Sequence, residues 1–377
     1  MAAYRTLMRR FTFLVAPLMA ALAFACGGGG DKEVSPTETS APEATVTPVA
    51  QIAPPGPTTF GVLAGGTDGP VDIEQFMPAT VRIRAGDTIH WTGHGHEGHT
   101  VTFFPDGRLN IGPNEYLIPA SDQPDTLEFN PVFAVGSDAQ GSYDGTEYTN
   151  SGFFGVPNPG EYTLTFPKAG AYPYLCMIHP FIMRGVVIVE DNGTQVPAPE
   201  TIAAEGEQLK QRFAAGAKTA AQAVNDERPA SAKTDGGGRM WGISVGIDTP
   251  QAQVTAFLPG ALEIEAGDTV VFWNSDRDFH NLVFVPDGQD PPPFPIIKPS
   301  DKGGFRLLIN PDAVKEVPPP PNFGPDDYFS AGMMGIGFPR FYYDVTFTQP
   351  GTYRFVCTVH VLSGMSGAIE VRPKDSA

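Results

Sequence analysis

The 377-residue chain contains two copies of one pattern, displaced by 181 residues. The segment FMPATVRIRAGDT, which starts at Phe76, returns as FLPGALEIEAGDT from Phe257. Further along, YTLTFPKAGAY from Tyr162 returns as YDVTFTQPGTY from Tyr343. Because a single offset aligns both copies with almost no gap, we interpret the chain as a tandem duplication of one domain.

Both copies have the composition and periodicity of β-sheet domains. Glycine (43 residues) and proline (39 residues) are abundant, and long helical patterns are rare, which favours short strands joined by turns. Segments such as TVRIRAGDTIHWTG and EYTLTF alternate apolar and polar residues and end at glycine or proline. We therefore predict an all-β protein built from two antiparallel β-sandwiches.

The segment between the copies contains the best helix candidate. Its apolar residues recur on one helical face: Ile202, Leu209, Phe213, Ala220 and Val224. We predict a helix over residues 198–226, packed on one of the sandwiches. The predicted boundaries are 59–192 for the first domain, 193–236 for the linker and 237–373 for the second domain.

The N-terminus has the pattern of an export signal. Arg5, Arg9 and Arg10 precede the apolar run FTFLVAPLMAALAFA, which is short for a membrane span and ends next to Cys26. The segment resembles a bacterial lipoprotein signal, which implies a signal peptide over 1–25, a lipid on the Cys26 thiol and a disordered tether over 26–58. The alternative is plain secretion with an unmodified Cys26. Either alternative predicts a protein of the cell envelope, lipid-anchored on the outer side of the cytoplasmic membrane or periplasmic.

The net charge of −18 bears on the partners of the chain. No basic stripe exists to meet phosphates, which argues against nucleic acid as a partner. Residues 60–191 hold 16 acidic side chains against 5 basic ones, so this half should attract basic proteins most strongly.

The cysteines need an explanation in an exported chain, where cysteines usually form disulfides. Besides Cys26, the chain has only Cys176 and Cys357, which could in principle bridge each other. However, each copy keeps one cysteine three residues before a histidine. A domain that carries one such pair of its own favours a metal-ligand role for the thiol.

Each copy supplies two imidazoles, one thiol and one thioether in the same order. The candidate ligands are His99, Cys176, His179 and Met183 in the first copy, and His280, Cys357, His360 and Met365 in the second. The first histidine precedes the cysteine by the same interval in both copies. Two histidines, a cysteine and a weak axial methionine form the type 1 (blue) copper site of electron-transfer proteins, so we predict two type 1 copper ions per chain.

Both copies resemble cupredoxins of the plastocyanin type. The segment VCTVHVLSGMSGAIEV follows the spacing of the ligand loop in that family, whereas LCMIHPFIMRGVVIV has one residue fewer before Met183. The resemblance implies two Greek-key sandwiches with the ligand loop between the last two strands. Segments 108–158 and 289–338 are longer than in small members, and we predict extended loops there that could cover one end of each sandwich.

The resemblance also implies a function. We predict an electron carrier rather than an enzyme, which exchanges electrons with a partner such as a c-type cytochrome. If the ligand loop faces outward as in relatives, Phe181 and its neighbours in one copy, and Val361 with Leu362 in the other, would form an apolar rim around the exposed edge of the ligand histidine.

Two alternatives remain open from the sequence. A copper oxidoreductase of the nitrite reductase or multicopper oxidase kind would need a second, histidine-rich copper site, and the cysteines here lack an adjoining histidine. A copper storage or delivery protein would explain the histidine-rich loop that holds His90, His94 and His96, which could form an accessory metal site or simply be solvated.

Overall fold

The computed structural model of the chain describes residues 51–137, 141–155, 159–227, 231–234, 237–274, 277–300, 305–335 and 340–374. The predicted signal peptide, Cys26 and most of the predicted tether lie outside the described residues. The end of that tether, from Gln51, pairs with the start of the linker. The amide of Ala53 donates a hydrogen bond to the carbonyl of Val196, at 3.0 Å.

The first half contains eleven described strands and two short helices. The strands are β1 (Thr59–Asp68), β2 (Val71–Met77), β3 (Thr80–Arg84), β4 (Thr88–Gly93), β5 (Thr102–Phe103), β6 (Leu117–Ala120), β7 (Gln123–Phe129), β8 (Thr149–Asn150), β9 (Gly160–Thr165), β10 (Gly170–Leu175) and β11 (Arg184–Glu190). The helices are α1 (Pro113–Tyr116) and α2 (Pro131–Ala134).

The linker and the second half follow the same plan. The linker holds helix α3 (Pro199–Glu227) and strand β12 (Ser231–Lys233). The later strands are β13 (Arg239–Asp248), β14 (Ala252–Leu258), β15 (Ala261–Glu265), β16 (Asp268–Trp273), β17 (His280–Phe284), β18 (Ile296–Pro299), β19 (Phe305–Leu308), β20 (Glu316–Val317), β21 (Phe329–Met334), β22 (Tyr342–Phe347), β23 (Gly351–Val356) and β24 (Ser366–Arg372). Helix α4 (Pro311–Val314) and a 3₁₀ turn (Val361–Ser363) complete the described elements.

Each half is a two-layer sandwich, which confirms the predicted fold class. In the first half, strands β2-β1-β4-β9 form one layer and β3-β11-β10-β5-β8 the other. Strand pairing is mixed rather than purely antiparallel, since β1 runs parallel to β4 and β3 parallel to β11. The chain passes from one layer to the other between β2 and β3, and this crossing breaks the alternation of strand directions. Trp91 and Phe103 are fully buried between the layers.

The two sandwiches share one continuous sheet, which the sequence did not predict. Strand β2 pairs antiparallel with β14, and Asp72 lies opposite Gln253. These two residues are equivalent positions of the two copies, so an approximate twofold axis passes between them. Hydrogen bonds on either side repeat this symmetry, from Glu74 to the carbonyl of Gln251 and from Thr255 to the carbonyl of Pro70.

Helix α3 covers one face of the joint, which is the region where β2 of the first half pairs with β14 of the second. It begins and ends within a residue of the predicted helix, but the prediction that it packs on one sandwich alone is wrong. Its buried alanines form a core with apolar residues from both halves: Ala214, Ala217, Val71, Ile73, Ala252 and Val254. The helix spans the joint because β2 and β14 place their alternate apolar side chains on the same face of the shared sheet.

A charge placed under this helix should destabilise the chain. Ala217 is fully buried, whereas Ala215 on the same helix is exposed. We expect Ala217→Asp to lower the free energy of unfolding by about 3 kcal/mol, because it buries an unpaired carboxylate, and Ala215→Asp to change it by less than about 0.5 kcal/mol. Chemical denaturation of both variants measures the difference, and equal effects would contradict the packing described here.

The two long insertions form strands instead of the predicted extended loops. Hairpin β6–β7 from the first half and hairpin β18–β19 from the second pair through Leu308 and Glu128 into one four-stranded sheet. Arg306 reinforces the pairing, since its side chain contacts Glu128 at 2.6 Å and Asp122 at 2.8 Å. Among the described residues, no helix is long and apolar enough to span a membrane.

Candidate metal centres

The first centre lies at one end of the first sandwich. The Cys176 thiol is 3.9 Å from Nδ1 of His99 and 3.9 Å from Nδ1 of His179. His99 follows β4 just before β5, while Cys176 follows β10 directly, so two neighbouring elements bring the ligands together. Met183 is fully buried in the same core cluster as Cys176.

The second centre repeats this arrangement. The Cys357 thiol is 3.8 Å from Nδ1 of His280 and 3.4 Å from Nδ1 of His360. Met365 is 2% exposed and shares a core cluster with Cys357. The structure thus brings together the two sets of residues that the sequence selected.

Backbone hydrogen bonds close both ligand loops. The amide of Cys176 donates to the carbonyl of Met183, and the amide of Cys357 donates to that of Met365, each at 3.0 Å. The second loop is one residue longer, and Gly364 accommodates the extra residue with a left-handed φ of 76°. Both loops can therefore return the methionine to the cysteine despite their different lengths.

The two thiols differ in their polar surroundings. In the first centre the amide of Thr100 points at the Cys176 sulfur, at 3.4 Å, and the Thr100 hydroxyl accepts a hydrogen bond from Met177 N. In the second centre the equivalent residue is Asn281, whose side-chain oxygen accepts a hydrogen bond from Thr358 N at 2.8 Å. The bond from the Thr100 amide reaches the sulfur itself, and hydrogen bonds to the sulfur adjust the redox potential of a copper–thiolate site.

Both thiols lie beside histidines that favour their ionised form. Burial raises the pKa of Cys357, but His360 and His280 outweigh burial and lower the pKa to about 5. Burial also raises the pKa of Cys176, and the hydrogen bonds from His179 and His99 hold that pKa well below its usual value. The thiolate is the form that binds a metal.

The donor geometry fits a shared metal ion better than a disulfide. Nitrogen at about 2.0 Å and sulfur at about 2.3 Å from one ion lie about 3.5 Å apart at a tetrahedral angle. The four sulfur–nitrogen distances of 3.4 to 3.9 Å lie near that value. Cys176 and Cys357 are free and buried, so they do not form the disulfide that the cysteine count allowed.

The outer nitrogens of the two loop histidines face each other across the joint. One oxygen of Glu97 lies 2.9 Å from Nε2 of His179, and the other lies 3.0 Å from Nε2 of His360. These histidines are only 7% and 4% exposed. The prediction that their edges are exposed is wrong, because the sandwiches pack with their ligand loops turned toward each other. Phe181 and Val361 nevertheless remain exposed.

Further carboxyl groups surround this contact. Asp278 contacts Nε2 of His360 at 3.2 Å, and Glu74 lies 4.0 Å from Nε2 of His179. Burial raises the pKa of Glu74 well above its usual value, which favours its neutral form. Burial also raises the pKa of Glu97, but its hydrogen bonds with the two histidines hold it well below the usual value. The ionised Glu97 is therefore the acceptor for both imidazoles.

Glu97 and Asp278 were not predicted as site residues, although the sequence contains a signal for them. The 181-residue offset places them at equivalent positions, two residues before the first ligand histidine of each copy. The Gln253 amide donates to both carboxylates, at 2.8 Å and 3.2 Å, and so holds them together.

The histidine-rich loop forms part of the joint. Nδ1 of His96 lies 3.4 Å from a carboxylate oxygen of Asp72, and this contact raises the pKa of His96. His90 contacts Glu161 at 3.0 Å, and His94 is exposed. None of the groups of potential metal ligands found among the described residues includes these three histidines, so an accessory metal site receives no support there.

Comparison with known proteins identifies the family. A family model described as copper binding proteins, plastocyanin/azurin family, matches residues 65–190 and 327–372. Plastocyanin of Vicia faba is 31% identical over 116 residues, which are 31% of this chain and 87% of that protein. The chain belongs to the plastocyanin/azurin family. It is a tandem cupredoxin, and its two His-Cys-His-Met groups are typical of type 1 copper sites.

Other members of the family match over shorter shares of their length. Chloroplastic plastocyanin of Tetradesmus obliquus is 33% identical over 117 residues, 30% of this chain and 58% of that protein. Plastocyanin of Prochlorothrix hollandica is 32% identical over 115 residues, 30% of this chain and 60% of that protein. A solved amicyanin variant in the Cu(I) state has a TM-score of 0.22 and 18% identity, and covers 38% of this chain and 93% of its own. With so low a TM-score, this similarity supports no conclusion about the fold.

Proposed function

We propose that the chain is an electron carrier with two type 1 copper ions, bound by His99, Cys176, His179 and Met183, and by His280, Cys357, His360 and Met365. The observation that carries the proposal is the pair of buried cysteine thiols, each close to Nδ1 of two histidines. Copper bound there would supply a one-electron couple that the thiolate and imidazoles stabilise in both oxidation states.

The residues of each sandwich prepare the centre for this role. Strands and backbone hydrogen bonds hold the donor atoms close together, so little rearrangement should accompany a change of charge at a bound copper ion. Burial of the cysteine and of both histidines excludes water. Such a site favours electron exchange over the binding of a small substrate.

The surroundings of the cysteines support a carrier rather than an enzyme. Leu175 and Met177 flank Cys176, and Val356 and Thr358 flank Cys357, so neither thiol adjoins a histidine that could lead to a second copper. Among the described residues, the remaining group of potential ligands is carboxylate-rich and contains one imidazole, that of His179.

We further propose an exported protein that meets a basic redox partner such as a c-type cytochrome. The acidic surface supports this choice through long-range attraction. Because the ligand histidines are buried at the joint, a partner would contact the outer side of the ligand loops. Phe181 on one loop, and Val361 with Leu362 on the other, are between 51% and 60% exposed there.

Copper titration with spectroscopy tests the carrier role. We expect two copper ions per chain, strong visible absorption from copper–thiolate bonds, and reversible bleaching on reduction. Neither oxygen nor nitrite should be consumed by the reduced protein. Sustained turnover of either substrate would instead identify an enzyme, and colourless, readily chelated copper would identify a storage or delivery protein.

A further inference from the structure

The two proposed copper centres are joined by one side chain. Glu97 accepts a hydrogen bond at each oxygen, from His179 of the first half and from His360 of the second. A continuous path for an electron therefore connects the two cysteines. It runs through the imidazole of His179, the carboxylate of Glu97 and the imidazole of His360. All members of this path are largely buried, and the Glu97 side chain is 13% exposed.

Comparison of equivalent positions in the two copies shows how Glu97 alone can contact a histidine of each half. Asp278, at the equivalent position of the second copy, contacts His360, the loop histidine of its own half, at 3.2 Å. Glu97 is one methylene longer and reaches both histidines. The pairing of β2 with β14 fixes the distance that this side chain must span.

The contact also orients both imidazoles. A histidine that donates its Nε2 proton to a carboxylate keeps Nδ1 free for a metal and holds its ring in place. In each half Nδ1 indeed faces the cysteine sulfur. Glu97 is thus a positioning residue for two centres at once.

Resting on the proposed carrier function, we propose that Glu97 couples the two centres into one unit that exchanges an electron internally. With copper bound at both sites, one centre would lose an electron as the other gained it, so the exchange would balance without an outside reactant. Both Nε2 protons stay on their imidazoles, and no bond is formed or broken. An electron that enters at either ligand loop can then leave at the other.

Two variants of the full chain test this coupling. Glu97→Leu removes both acceptors, whereas Glu97→Gln keeps the shape of the side chain and one acceptor oxygen. Glu161→Gln is the matched control, because Glu161 contacts a histidine outside the ligand sets, His90, in the same half. Each protein is loaded with copper and partly reduced by a light pulse in the presence of a photochemical electron donor. Freeze-quench electron paramagnetic resonance then follows the electron as it redistributes.

We expect Glu97→Leu to slow the redistribution, and to weaken copper binding at both centres, by on the order of tenfold or more. Glu97→Gln should slow the redistribution while the visible absorption of both centres persists. Glu161→Gln should match the unaltered chain. Unchanged redistribution in both Glu97 variants would overturn the coupling, whatever their copper affinity. Failure of the unaltered chain to bind coloured copper would instead overturn the carrier function, so the two failures are distinguishable.

Discussion

Replacing either buried cysteine by serine should remove one copper ion and leave the other. Cys176 and Cys357 lie in separate core clusters and have separate histidine partners. A serine hydroxyl cannot supply the soft, ionised sulfur on which the copper–thiolate bond depends. We therefore expect each single variant to bind one copper ion per chain and the double variant to bind none at these sites.

Elemental analysis and visible absorption check this result. The absorption that remains in Cys176→Ser should belong to the second centre, and the absorption in Cys357→Ser to the first. The two remainders should add up to the spectrum of the unaltered chain. Met177→Leu is the matched control, since it removes a buried sulfur next to Cys176 and nearly conserves volume. Loss of both centres in a single variant would show that the metal sites are not the independent sets described here.

Adding one methyl group at Gly65 should damage the first centre selectively. Gly65 has a φ of 75° and lies at the irregularity of β1 where pairing with β2 shifts. A Cβ atom there would lie 2.1 Å from Nε2 of His99. The imidazole would have to move away from Cys176, and the left-handed backbone alone costs about 1–2 kcal/mol for a residue with a side chain.

We expect Gly65→Ala to lose or strongly weaken copper at the first centre and to keep the second. Gly61→Ala provides the control on the same strand, because nothing lies within 4 Å of a Cβ atom at that position. Copper content, visible absorption and thermal unfolding of the two variants measure the effect. A Gly65→Ala protein with two unchanged centres would mean that His99 does not pack on this glycine.

The sequence singles out the candidate ligands because a type 1 copper site demands rare residue types at fixed spacings. His280, Cys357 and His360 stand out on chemistry alone, and the duplication repeats the same residue types in the first copy. Helix α3 is predicted for a similar reason, since its apolar residues follow the helical period over many turns.

The joint between the halves could not be predicted in the same way. The segment Val71 to Glu74 alternates apolar and polar residues and therefore indicates a strand with one wet face. In the structure Asp72 and Glu74 are almost fully buried, because the second half covers that face. Contacts between the copies depend on the shapes of the two folded surfaces and on residues distant in sequence. Local hydrophobic periodicity carries no information about these contacts. Glu97, in a glycine-rich loop, reads as solvated for the same reason.

The sheet that runs through both halves has a consequence for the ancestry of the chain. A lone ancestral domain would have carried β2 as an edge strand, open to pairing with any other strand. Here the edge strand of each copy pairs with that of the other, and α3 packs on the apolar face of the joint. The copies are thus no longer interchangeable modules. Removing either copy would expose an unpaired edge strand together with the apolar surface that α3 now covers, and this combination promotes aggregation.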